Sequence, residues 1–223
     1  MYTIDLPNVS RFDLLETHAF VEFWSQFYDD DTTVVNTKQR IDYFAELNTA
    51  NDLTEENVCR LLRWKDRRLL THPILSGAKK GQDNPKVVRV LANLILINQF
   101  RNGQTTEADL RLTTEQVFTD GIVWRAFLLH IAKPHIYPIA DQNVFRACSL
   151  HTGLKDDQTW ATYASYCCYF RQIAQAAGVD RTIENIRQLK RIDDALFAFG
   201  QFLDAYYKKS ARPVEPPGCL ETE

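Results

Sequence analysis

From Ser10 to Tyr207 the apolar side chains return at spacings of three and four and nowhere sustain the alternation a strand needs, which restricts the chain to helices packed on helices. The clearest stripe is Leu189, Ile192, Leu196, Phe199 and Leu203, inside a helix expected over Thr182 to Tyr207. Ser10 to Tyr28 predicts an aromatic, amphipathic helix that the run Asp29-Asp30-Asp31 ends. Asn36 with Gln39 reads as a capping box for a helix carrying Ile41, Phe44, Ala45 and Leu47 on one side, and a short helix follows Thr54 with Val58, Leu61 and Leu62 inward. Asn84-Pro85 is a cap with proline at the first helical position, and the run to Phe100 is so apolar that its helix is expected to be largely buried, ending at Asn102-Gly103. Thr113-Thr114-Glu115-Gln116 predicts another capping box, starting a short helix that breaks at Thr119-Asp120-Gly121 before Ile122 to Ile131 resumes. Gln158 to Ala177 is a further helix, and Pro213, Pro216 and Pro217 mark a tail expected to be disordered. The fold class is all-α.

At 223 residues the chain can bury one sizeable core or two small subdomains. No run of eighteen apolar residues occurs and the start, Met1-Tyr2-Thr3-Ile4-Asp5, lacks a basic segment followed by a hydrophobic one. Neither a membrane span nor a signal peptide is indicated, and the expected location is the cytoplasm, at the nucleoid in a prokaryote. Five cysteines (Cys59, Cys148, Cys167, Cys168, Cys219) form no C-x-x-C pair, which argues for buried reduced thiols and against a disulfide framework or a zinc or iron–sulfur site. His130 and His135 miss by one residue the spacing that would put both on one helical face, so no metal and no cofactor are expected. The formal charge of −3 is unevenly spread: Arg60 to Arg89 holds nine basic residues against Asp66 and Asp83, a local +7 around a turn-rich segment. Such a block suits a polyanion or a solvated face equally.

The chemistry concentrates in Tyr137-Pro138-Ile139-Ala140-Asp141-Gln142-Asn143-Val144-Phe145-Arg146-Ala147. Pro138 fixes its own backbone angle, and Asp141 precedes the apolar-periodic Val144, Phe145, Cys148 and Leu150, so Asp141 reads as the N-cap of a helix of about ten residues. Its carboxylate is favoured there by the helix dipole. As a residue it is either an ordinary cap or an acid held ionised and aimed.

A helical hairpin turning on glycine, a proline, then an apolar-Asp-x-x-Val-x-Arg helix start resembles the helix-hairpin-helix DNA glycosylase superfamily, with Gly121 twenty residues before Asp141 and with Asp141, Val144, Arg146 and Cys148 in matching places. The likeness is specific over Val117 to Cys148. Ile122, Val123 and Trp124 stand where bifunctional members carry a Schiff-base lysine, and the cysteines of the family's iron–sulfur loop are absent. What the resemblance implies is a monofunctional glycosylase in which Asp141 stabilises an oxocarbenium-like sugar or positions water. Trp124 and Gln142 would hold the extruded base. Thr119 and Gly121 in the hairpin turn, with Arg125, Lys133 and Arg146, would meet DNA, Arg146 alternatively bracing Asp141. The partner would be double-stranded DNA with one base flipped out, engaged by a monomer. It also implies two helical subdomains with a cleft at Asp141: 27–135, ending in the hairpin, and 1–26 plus 136–207, with 208–223 as the tail. A relative that binds DNA without catalysis, and a helical interaction module in which Asp141 is only a cap, are the competing expectations.

Overall fold

Six of the helices among the described residues begin where a short polar side chain takes one of the first free amides. The computed structural model describes residues 14–28, 41–66, 71–74, 77–119, 121–153 and 157–210, and among them are ten helices and no strand. They are α1 (Leu14–Ser25), α2 (Tyr43–Glu46), α3 (Glu55–Lys65), α4 (Pro85–Ala92), α5 (Leu94–Arg101), α6 (Glu107–Val117), α7 (Ile122–Ala132), α8 (Gln142–Thr152), α9 (Trp160–Ala176) and α10 (Ile186–Ser210). None is long and apolar enough to cross a membrane. Thr54 caps α3 through a reciprocal box with Asn57, Asn84 caps α4 ahead of Pro85, and Asp141 caps α8 by accepting from the Asn143 amide at 2.9 Å.

Several boundaries differ from the sequence expectation. The last helix, expected over Thr182 to Tyr207, is α10 at Ile186–Ser210, so residues 208–210 of the expected tail are helical. The four-residue α2 is capped by Asp42, whose carboxylate accepts from the Phe44 and Ala45 amides; the Asn36–Gln39 box, like the Asp29–Asp31 run, Asp120 and the 211–223 tail, lies outside the described residues. The box at Thr113 is interior to α6, which starts at Thr106 with Asp109 as its box partner. Thr113 and Thr114 stay helical because their hydroxyls donate to the Asp109 and Arg111 carbonyls of the preceding turn. The single buried helix expected from Pro85 to Phe100 is two, broken at Asn93, whose side-chain amide donates to the Arg89 carbonyl at 2.8 Å. The break leaves Val87, Val90, Ile97 and Phe100 inward and puts Ile95 76% and Val88 42% in solvent.

By contact, α10 lies along α8 and α1, with α9 beside all three; α2 to α7 pack on one another, and α7 meets α9. One continuous core runs through both sets, from Leu61, Leu62 and Phe127 to Phe145, Tyr166 and Leu196. Of the cysteines, Cys148 is buried, Cys59 and Cys167 are half-buried, and Cys168 is exposed, contrary to the expectation of burial; all four are free thiols, and Cys219 lies outside the described residues. Burial raises the Cys167 thiol to about 12, which keeps it protonated and unreactive.

Candidate functional site

The segment 135–140 that delivers Asp141 leaves α7 through a turn, and five of its six carbonyls are held by side chains from elsewhere in the fold. Arg181 donates to the His135 and Ile136 carbonyls, His130 on α7 to that of Tyr137 at 2.6 Å, Tyr163 on α9 to that of Pro138 at 3.0 Å, and Lys65 at the end of α3 to that of Ala140 at 2.8 Å. Ile139 and Ala140 are buried, so the peptide groups behind Asp141 cannot turn to water. At the end of this clamp the Asp141 side chain is 27% exposed. It faces solvent on one side, and on the other its Oδ2 lies 3.7 Å from Lys65 Nζ, an ion pair between α3 and the start of α8.

Lys65 is only 9% exposed. Burial pushes its ammonium below the ordinary lysine range, and Asp141 foremost, with Asp193, pulls it back up. Behind it on α10, Lys190 Nζ sits 3.3 Å from Asp193 Oδ2 and also pairs with Asp194. Burial alone would lower Lys190, but Asp193, Tyr28 and Asp194 outweigh it and hold it protonated, above its usual range. Three carboxylates thus share two ammonium groups. Asp193, whose Oδ1 has no hydrogen-bond partner among the described residues, is the one burial pushes up.

An aromatic stack supports the pair from beneath. Tyr43 lies 4.5 Å from Trp64, Trp64 6.3 Å from Phe127, and Phe127 5.9 Å from His130. His130 Nδ1 faces a carbonyl and so carries a proton; burial disfavours the imidazolium, which leaves the ring neutral and Nε2 accepting from the Tyr43 hydroxyl. Burial depresses the His130 pKa to about 3. An unfolded histidine takes up its proton below about 6.5 whereas the folded one does so only near 3, so this contribution is complete above pH 6.5 and is lost as pH falls towards 3. Urea unfolding at pH 7 and pH 4.5 is expected to show acid destabilisation of roughly 2 kcal/mol from this residue, which His130→Gln removes. An unchanged acid response in that variant would refute the assignment.

A cavity of about 10 Å³, room for a single water, lies behind the segment between Tyr43, His130, Pro138, Lys190 and Asp193. It is too small for a nucleobase.

The two helices of the hairpin are α6 and α7, which pack on each other. Gly121 has φ +84°, which a side chain would strain, and it opens α7 without a side-chain cap of its own. Arg125 donates to the Phe118 carbonyl at 2.8 Å and to that of Thr119 at 2.6 Å, so it closes the turn. Trp124 stacks on Phe118 at 6.2 Å beside Gly121, which makes it a prop for the hairpin. Lys133 ends α7 with its ammonium 4.4 Å above the Phe100 ring. Gln142 is exposed beside Asp141. Arg146 turns away from Asp141: it donates to Asn143 Oδ1 and the Gly200 carbonyl and pairs with Asp204 at 3.0 Å, tying α8 to α10. The brace on Asp141 is Lys65, which the sequence reading placed only within a basic block. The signal for it was its place on the apolar stripe of α3, after Val58, Leu61 and Leu62. No family model, curated protein or solved structure matches the chain.

Proposed function

We propose that this chain is a monofunctional DNA glycosylase, releasing a damaged or modified base by hydrolysis at the Asp141 carboxylate. The observation that carries the reading is the clamped segment 135–140, which ends in a partly exposed carboxylate backed by a buried ammonium. Such rigidity adds little that a helix cap needs, and it is what electrostatic catalysis requires. The hairpin α6–α7 and its spacing to Asp141 resemble the helix-hairpin-helix glycosylases in the same sense. In this reading the helix sets meet at a cleft where Asp141 faces the sugar of an extruded nucleotide.

The base leaves with the electron pair of the bond between its nitrogen and C1′. The positive charge that develops on the sugar is stabilised by Asp141, water adds to C1′, and the proton of that water passes to Asp141 or to the departing base. Lys65 positions the carboxylate. Its amine, nearly buried and donating to the Ala140 carbonyl, is not placed to attack the sugar, so the product is an abasic site and an intact strand.

Incubation with duplexes carrying oxidised, alkylated, deaminated or bulky modified bases tests this. Strand breaks that appear only after alkali are expected for one class of substrate. No break on any duplex, with salt-sensitive DNA binding retained, would instead establish a non-catalytic DNA-binding protein.

A further inference from the structure

The nine cations between Arg60 and Arg89 have separate fates. Arg60 is paired with Glu46 and Glu56, Arg63 is half-buried in the last turn of α3, Lys65 is paired with Asp141, and Arg67 and Arg68 lie outside the described residues. Lys79, Lys80, Lys86 and Arg89 are all exposed, and none forms an ion pair with a carboxylate among the described residues. Arg89 only donates to the Pro85 carbonyl of its own helix. Asp83, itself largely exposed, lies 3.8 Å from His72 Nε2 and forms no ion pair with these four side chains among the described residues.

The loop that carries the two adjacent lysines is built, not loose. Ile74 pairs its amide with the Gln82 carbonyl at 3.0 Å and its carbonyl with the Gly81 amide at 2.8 Å. Two turns close within it, Lys80 to the Gly77 carbonyl and Gln82 to that of Lys79, both at 3.1 Å, with Gly77 and Gly81 at φ +82°. Its base is pinned by the buried Asn84, which donates to the Thr71 carbonyl at 3.0 Å. A side chain added at either glycine would meet nothing within 4 Å, so the loop stands out into solvent. Lys86 follows in the first turn of α4, where the helix dipole disfavours a cation and no acid offsets it. Adjacent fixed cations without partners repel one another, and a polyanion relieves that cost.

We propose that the 77–82 loop and the exposed face of α4 form a phosphate-contacting surface for duplex DNA. The inference rests on the nucleic-acid reading given above. Thr71, at the base of the loop, is six residues beyond Lys65, so it lies within about 20 Å of the Asp141 brace whatever the path between them. That is about six nucleotide steps along a strand, shorter than a duplex of about 20 base pairs.

The test is the salt dependence of binding, by fluorescence anisotropy, to an undamaged labelled duplex of about 20 base pairs between about 50 mM and 200 mM salt. The proteins compared are the native chain, Lys79→Gln/Lys80→Gln, Lys86→Gln/Arg89→Gln, and Arg171→Gln on α9 as a matched loss of exposed charge. Each phosphate contact contributes roughly 0.9 to the slope of log K against log salt, so each double variant is expected to lower that slope by about 2 and to weaken binding about ten- to a hundred-fold at 0.1 M salt. Arg171→Gln is expected to leave the slope unchanged. Native slopes in both double variants overturn the proposal, as does a native protein that ignores DNA and binds anionic phosphatidylserine vesicles or nothing at all. Base release separates the two readings: Asp141-dependent release with unaffected loop variants removes the surface and keeps the chemistry, while loop effects without release do the reverse.

Discussion

Gly200→Ala is expected to lower the stability of the protein by at least about 3 kcal/mol, the upper range for overpacking. A methyl group at Gly200 would sit 2.0 Å from the Asn143 carbonyl oxygen, 2.5 Å from its carbonyl carbon and 2.8 Å from its Cα. These are backbone atoms of the first turn of α8, so relief requires moving a helix and not a side chain. The same crossing is fixed by Arg146, which binds the Gly200 carbonyl and Asp204. Elsewhere in a helix the exchange has the opposite sign, since glycine costs about 1 kcal/mol relative to alanine. Urea unfolding therefore reads the close approach directly: a variant more stable than the native protein would mean that α8 and α10 are not in contact there. Because Asn143 follows Asp141 by two residues, whatever folds of Gly200→Ala should also misplace the carboxylate and lose more activity than its folded fraction accounts for.

Lys65→Met is expected to separate function from stability. The buried ammonium is costly, as its lowered pKa records, and methionine replaces it with an apolar chain of similar length. Against that gain stands the Ala140 carbonyl left without its donor, so the net change should stay within about 2 kcal/mol. Base release should nevertheless fall roughly 10²-fold, the scale of a misaligned catalytic group. The pH dependence gives an independent readout. Between the lowered folded pKa and the 10.5 of an unfolded lysine, the unfolded chain binds more protons, so Lys65 adds a rise of stability with pH that the methionine variant lacks. Strong destabilisation with native activity per folded molecule would make Lys65 a structural strut only.

The parts legible in the sequence are those decided locally. Asp141, Thr54 and Asn84 announce themselves as caps because the cap is a matter of one short side chain and amides two or three residues away. Thr113 misled because the same residue types that cap a helix can return their hydroxyls to the preceding turn. The clamp on 135–140 could not be read, since Lys65 and Ala140 are 75 residues apart and backbone carbonyls leave no trace in residue identity. Hints existed in residues that break their stripe: Lys65 on the apolar face of α3, Lys190 and Asp193 beside Leu189 and Leu196, and Gly200 after Phe199 in mid-helix. Each is locally unfavourable, and each lies at a contact that positions the start of α8 or at the charge cluster behind it. Trp124 and Arg146 were read as ligands by their place along the chain, and the packing of Trp124 on the hairpin and of Arg146 on α10 followed only from the tertiary arrangement.

Single-turnover base release by the native protein and by Asp141→Asn distinguishes an Asp141 that acts on a substrate from one that only caps α8. Asparagine caps a helix about as well as aspartate, so the substitution removes the charge and leaves the helix start in place. A loss of release of roughly 10²-fold or more per folded molecule, with duplex affinity near native, is the predicted result, alongside some loss of stability from the buried Lys65 ammonium left without its carboxylate. Release at the native rate in the asparagine variant would contradict it.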